Sequence, residues 1–538
     1  MSGNGEKTLV RDLTQGSVVR QLFVFAAPLF VANALQAVYN LVDMIVVGQI
    51  IGGAGMSAVS IGGDVLHLLT FLAMGFSGAG QVIIAQFIGA GRREDVRRLI
   101  GTMFTFLLGI SLVIAAVCFA LRTPILQALN TPAEAFDYTM DYMVTCIAGL
   151  VFIYGYNIVS AILRGMGDAK RPFLFIAIAA VLNTVLDLYF VGVLHLEVFG
   201  AALATVIGQA VSFLISIAYL YRRREAFGFD FRPESFRIDG PVLQRLLALG
   251  IPMAIQSAAI NISKIVLTRW INAEGLVYSA MSGIYNKTGL MMGVVSNSFT
   301  TAGSSMVGQN IGAGKYTRVT RVLATVGAAG LTFATAVSAL VLLFPDAVCA
   351  MFTNDAAVLA QASMVIVPIV LNAYGAGTRS MAFAIINGSG NSRLNLLVAL
   401  LDGMLARVGL AYILGFGLQM GCRGFWYGDA LAGFMPFVIG TVYISPESGG
   451  GRPRRQEDSG RPAVYCLRAV ARVILDPAAA EVPDRAESIC LRCRQVLFGW
   501  RRRWKRSRHG KVSGRGTSRS SHWAAWSRCS GTRCPASP

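Results

Sequence analysis

"QFIGAGRRED", residues 86–95, and "QNIGAGKYTR", residues 309–318, are one short pattern written twice, 223 positions apart. Each places a glutamine three residues before Gly-Ala-Gly, and each follows that turn with cations. Other markers keep the same spacing. Pro28 in "AAPLFVANALQ" pairs with Pro252 in "GIPMAIQSAAI". Gly165 and Gly167 in "ILRGMGDAKR" pair with Gly388 and Gly390 in "IINGSGNSRL", and Gly200 in "VFGAALAT" pairs with Gly424 in "CRGFWYGD". All are offset by 223 or 224 residues. Self-similarity at one fixed period means a repeated structural unit.

The unit is built for a bilayer. Of 538 residues, 54% are hydrophobic and only 14% charged, with a mean hydropathy of +0.58, whereas a soluble chain carries about a quarter charged residues. Apolar stretches of roughly 20 residues, enough to cross about 30 Å of hydrocarbon, recur throughout. Twelve spans begin near residues 20, 57, 98, 137, 172, 199, 244, 278, 320, 360, 394 and 424. Six fall in each unit. An even number returns the chain to its starting side, so the halves share an orientation and pair about an axis along the membrane normal. The expected fold is all-α and polytopic, with twelve transmembrane helices in two six-helix bundles. Its expected parts are an N-terminal lobe over 1–222, a hydrophilic cytoplasmic linker over 223–242, a C-terminal lobe over 243–445 and a basic tail over 446–538. The first span is too long for a cleavable signal and lacks a small-residue cleavage site, so it reads as an uncleaved helix.

Basic residues set the orientation. With the N-terminus inside, the first 445 residues put 20 Lys and Arg at inner loops and span ends, two outside (Arg122 and Arg423) and five within spans. Both ends are therefore expected in the cytoplasm, and the protein in the cytoplasmic membrane. Gly-Ala-Gly is no nucleotide loop here, because it joins two membrane helices with no preceding strand. It reads as architecture rather than chemistry.

Ionisable groups inside the bilayer are costly and count as functional candidates. In the first span Gln36, Tyr39, Asn40 and Asp43 fall at i, i+3, i+4 and i+7, one polar stripe on an apolar helix. In the fifth, Asn183 and Asp187 share a face at i and i+4. Asn157 in the fourth span and Thr205 in the sixth add further oxygens. Such hard oxygens suit a small alkali cation. Alternatively the carboxylates take protons, because burial and mutual repulsion favour their neutral form. For a lone Asn or Thr, interhelical bonding is the commoner role. A buried carboxylate is a costly way to make that contact, so the aspartates carry the functional reading.

Twelve spans in two halves, with "LQAVYNLVD" at 35–43, "ILRGMGDAKRP" at 162–172 and "LNTVLD" at 182–187, resemble the multidrug and toxic compound extrusion family over about residues 10–445. The likeness is closest to prokaryotic members with acids in the first and fifth helices. It implies a two-lobed antiporter that expels organic cations or other amphiphiles against an inward flow of protons or sodium. It further implies a coupling-cation site, for a proton or sodium, at Asp43, Asn183, Asp187 and Thr205, with Gln36, Tyr39, Asn40 and Asn157 as its network. No enzyme activity, no cofactor beyond the coupling ion and no nucleic-acid partner are expected; the partners are the bilayer and a small amphiphilic substrate, and the chain acts as a monomer. A flippase of lipid-linked oligosaccharide is the alternative, against which the acidic first-half site argues.

The second half lacks that site. Ala406 and Leu410 stand opposite Asn183 and Asp187, and Leu267 opposite Asp43. It holds instead Lys264, Lys287, Arg379 and Arg407 with Asp402 and Asp429, for which compensating ion pairs or snorkelling are the simplest roles. The four cysteines of the body are scattered and read as buried thiols. The tail carries 20 Lys and Arg against 7 Asp and Glu, or +13 of the total +19. Its Cys490-x2-Cys493 does not combine with His509 and His522 at zinc spacing. It reads as an out-of-frame extension without a selected role. Deletion to about residue 446 is expected to leave transport unchanged, and loss of transport at normal abundance and insertion would contradict this.

Overall fold

The structure is a computed structural model that describes residues 11–129, 131–353, 355–361 and 363–444. The tail lies outside the described residues. Among these residues the regular elements are helices only. The spanning helices are α1 (Val18–Ile50), α2 (Gly53–Gly89), α3 (Arg93–Ala120), α4 (Ala133–Ala148 and Leu150–Gly165, bent by 48°), α5 (Lys170–Val193) and α6 (Glu197–Arg222). The second half repeats them as α7 (Gly240–Ala273), α8 (Leu276–Gly312), α9 (Tyr316–Leu343), α10 (Ser363–Ser389), α11 (Ser392–Gly417) and α12 (Cys422–Ala432 and Met435–Ile444). Among the described residues nine helices are long and apolar enough to cross a membrane singly, and α4 makes a tenth when its bent pieces count as one. The other two are explained by their chemistry. Ser, Thr, Asn and Gln residues thin the apolar content of α8, and α12 is interrupted near Gly433.

The repeat is structural down to single turns. Pro28 and Pro252 lie inside α1 and α7. Gly165 packs on the Gln81 carbonyl of α2 and on Ile84; its counterpart Gly388 packs on the Ser304 carbonyl of α8 and on Val307. Helix α5 passes into a π-helical stretch at Leu188–Val193, and α11 does so at Ile413–Gly417. Gly200 and Gly424 seat α6 and α12 against those stretches.

The twice-written turn is where the halves cross. Gln86 Nε2 donates to the Gly388 carbonyl at 2.9 Å, and its echo Gln309 Nε2 donates to the Gly165 carbonyl at 3.3 Å. A side chain on Gly89 would land on the Gln309 carbonyl, and one on Gly312 on the Gln86 carbonyl. Glycine is required at both because two backbones touch there. Arg245 donates to Gln86 Oε1 at 2.6 Å and the Leu13 amide to Gln309 Oε1 at 3.0 Å, so both buried amides are satisfied on both sides. Arg92, Arg93 and Lys315 make this the basic end of the molecule. Cross-half hydrogen bonds run from it to Asn33–Ser298, about mid-helix, and none lies beyond among the described residues.

Residues 11–16 lie across both halves at this end. The Arg11 amide reaches the Met166 carbonyl, while Asn310, Lys315 and Arg318 donate to carbonyls of Leu13, Thr14, Gln15 and Gly16.

The hydrophilic stretch between the halves also packs through its aromatic rings. It contains two short helical turns, Arg224–Phe227 and Pro233–Phe236. Phe229, 2% exposed, is ringed by Phe104 of α3, Phe231 and Phe236 at centroid distances of 6.5, 4.9 and 5.3 Å. Ser235 and Arg97 hydrogen-bond Asp230, and the Ser235 bond leads in holding its carboxyl below the usual carboxylate range. The linker is thus bolted to α3. Phe229→Ala is expected to cost about 3–5 kcal/mol in the unfolding free energy of purified protein; a loss under about 1 kcal/mol would contradict this packing.

Candidate functional site

Asp43 from α1 and Asp187 from α5 meet inside the first half. They are 5% and 0% exposed, and their carboxyl groups are electrostatic neighbours. Asp187 is the last α-helical residue before the π-helical stretch of α5, and such local rewinding often marks functional positions. One turn earlier, Asn183 donates through Nδ2 to Thr205 Oγ1 of α6 at 3.3 Å. Gly208 allows α6 to lie against the Ala179 carbonyl and Asn183, which brings Thr205 near.

The feature that defines the site is what the oxygens lack. Asp43 Oδ1, both Asp187 oxygens and Asn183 Oδ1 are buried without a hydrogen-bond partner. Among the described residues neither aspartate has an ion pair. Two carboxylates so close and so dry cannot both stay charged unless a cation or proton joins them. A small cavity beside them, lined by Tyr39, Asn183, Thr205 and Gln209, has a volume of about 10 Å³. That holds a bare ion or one water, not an organic molecule. Among the described residues no three His, Cys, Asp or Glu side chains form a metal cluster.

The supporting residues divide. Tyr39 and Gln209 line the same small cavity, and Gln36 lies near the Tyr39 hydroxyl. Asn40 sits on α1, but its side chain lies outside the described residues. Asn157 donates to the Ile153 carbonyl of its own helix at 2.9 Å; no hydrogen bond joins it to the aspartates. Tyr142 and Cys146, on the same face of α4, lie beside Asp43, as their packing against Val46 and Val47 requires. Sequence reading did not single out Tyr142, Cys146 or Gln209. The signal was present in their spacing: Tyr142 and Cys146 are i and i+4, as are Thr205 and Gln209.

In the second half the ion-pair reading holds for two of the four cations. Arg379 and Arg407 are paired with Asp402, and Arg407 with Asp429. Tyr285 donates to Asp429 at 2.6 Å rather than merely filling space.

A profile of the MatE family matches residues 28–189 and 252–413, two blocks that begin 224 residues apart, as the repeat does. Two relatives from Bacillus subtilis (strain 168) are each 30% identical. The probable multidrug resistance protein YpnP aligns over 308 residues, 57% of this chain and 68% of its own. The probable multidrug resistance protein YoeA aligns over 330, 60% of this chain and 71% of its own. The fold is similar to a solved multidrug resistance MATE family transporter of the MOP superfamily in an outward-facing conformation. That likeness has a TM-score of 0.75 at 22% identity and covers 82% of this chain and 97% of the other. With twelve helices in two repeated bundles and its family profile matched in both, this chain belongs to the multidrug and toxic compound extrusion (MatE) family of membrane transporters.

Proposed function

We propose that this chain is a cation-coupled antiporter, exporting organic cations, drugs or other amphiphiles across the cytoplasmic membrane, with both termini cytoplasmic. The observation that carries the reading is the pair of neighbouring, buried carboxylates, Asp43 and Asp187, whose oxygens lack hydrogen-bond partners. Asn183 and Thr205 complete the coupling-ion site, with Gln36, Tyr39, Asn40 and Asn157 around it. The coupling ion is a proton or sodium. Residues 1–222 and 243–445 act as two lobes, 223–242 as the cytoplasmic linker and the turns at Gly89 and Gly312 as the closed cytoplasmic contact. Support for the orientation comes from the clustering of basic residues at that end. Transport of this kind makes and breaks no covalent bond, so no enzyme activity is assigned.

The mechanism is one of exclusion. Each ligand shifts a conformational equilibrium only by its differential affinity for the two states. A cation entering between Asp43 and Asp187 removes their repulsion, α1 and α5 draw together, and a cationic substrate loses its electrostatic hold. Loss of the ion to the cytoplasm restores the repulsion and the affinity. The test is dye transport by proteoliposomes carrying the purified chain. A proton or a sodium gradient of the right sign is expected to drive ethidium against its concentration gradient; no response to either gradient would contradict antiport.

A further inference from the structure

The second half carries a cluster of opposite balance. Lys264 on α7, Tyr285 on α8, Arg379 on α10, Asp402 and Arg407 on α11 and Asp429 on α12 converge from five helices. Asp402 Oδ1 accepts from Arg379 at 3.1 Å and from Arg407 at 3.4 Å. Asp429 accepts from Arg407 on one oxygen and from Tyr285, at 2.6 Å, on the other. Two guanidiniums therefore neutralise two carboxylates, and both oxygens of Asp429 are taken. Lys264 is the third cation. It lies within electrostatic reach of Asp429, Arg407 and Arg379, yet among the described residues it makes no hydrogen bond and no ion pair.

The surplus is one positive charge with free donors. Beside the ammonium, the Nε groups of Arg379 and Arg407 are buried without acceptors. Asp402 Oδ2 also lacks a partner; with three cations against two carboxylates, the cluster keeps one surplus positive charge. Lys264 is part-buried; a charge with little access to water and no partner is costly, and a carboxylate supplies the missing charge and an acceptor. Planar guanidinium edges match a carboxylate in geometry.

We infer that Lys264, backed by Arg379 and Arg407, binds a carboxylate borne by the transported amphiphile, so that the second half selects cargo by an anionic group. The inference rests on the export reading for its cargo and is separable from it. The purified full-length chain in nanodiscs is titrated, by fluorescence anisotropy, with two dyes sharing one xanthylium cation. Rhodamine 110 carries a free carboxylate, and rhodamine 123 is its methyl ester. The wild type is expected to bind rhodamine 110 about ten-fold or more tightly than the ester. Lys264→Gln removes that preference while holding rhodamine 123 within about two-fold, and Lys264→Arg restores it. Lys264 has no ion pair to break, and an unchanged melting temperature checks that Lys264→Gln folds. Equal weakening of both dyes, a preference that survives Lys264→Gln, or no binding of rhodamine 110 by the wild type would each overturn the inference. Gradient-driven export of ethidium, which has no carboxylate, tests the export reading alone, so the two fail separately.

Discussion

Asp43→Asn protein is expected to insert and fold normally yet to export no dye above the leak of empty vesicles under a gradient that drives the wild type. Asn keeps the volume of Asp and removes its charge, so the pair with Asp187 becomes permanently like its ion-loaded form. The buried position, 5% exposed, tolerates this because removing one of two repelling charges relieves strain instead of creating an unpaired group. What is lost is the dependence of substrate affinity on the ion. Coupling free energies between sites are about 1–3 kcal/mol, or 5- to 150-fold in affinity, so a loss of roughly 100-fold in driven export is expected. Asp187→Asn is expected to behave alike. Lys264→Gln is expected to keep ethidium export near the wild-type rate, which makes it the control. Wild-type export by Asp43→Asn under the same gradient would place the ion site elsewhere.

The second large effect belongs to the crossing of the halves. Gly89→Ala or Gly312→Ala puts a methyl group onto a backbone carbonyl of the opposite half, which neither side can move without displacing a helix. Overpacking of this kind costs about 1–3 kcal/mol. If the contact parts when the basic end opens, as proposed above, the cost falls on the closed state alone and shifts the equilibrium by roughly 5- to 150-fold toward opening there. Export is expected to fall accordingly. Amide hydrogen exchange is expected to rise at residues 86–93 and 309–316. Unchanged exchange and wild-type export in both variants would mean that the halves do not part at this contact.

The repeat made the fold legible. A constant offset of 223–224 residues fixes the topology, since equivalent glycines must meet equivalent backbones. Gly165 on Gln81 and Gly388 on Ser304 show that equivalence realised. The stripes on the first and fifth helices were legible for the same reason, because helical spacing alone puts Asn183 and Asp187 on one face. Periodicity does not say which face of one helix meets which face of another. That is why Tyr142, Cys146 and Gln209 were missed, although each shares a face with a noted residue. The turn at Gly89 was read as architecture, and its partner is the other copy of itself, a contact that a sequence cannot express. The packing of the linker was not legible, because its charges outnumber its rings. Phe229, Phe231 and Phe236 bury against Phe104 only once α3 lies alongside. In the second half the paired arginines were anticipated by charge balance, whereas the unpartnered state of Lys264 depends on Tyr285 occupying Asp429.

The claim that Asp43 and Asp187 exchange an ion for substrate is tested most directly by counting what substrate displaces. Purified protein at low buffer strength is mixed with ethidium while a pH indicator, or retained radioactive sodium, reports the ion released. The wild type is expected to release about one ion per molecule of dye bound, and Asp43→Asn none, even at dye concentrations raised to offset its roughly 5- to 150-fold weaker binding. Release from Asp43→Asn equal to that of the wild type would contradict the account.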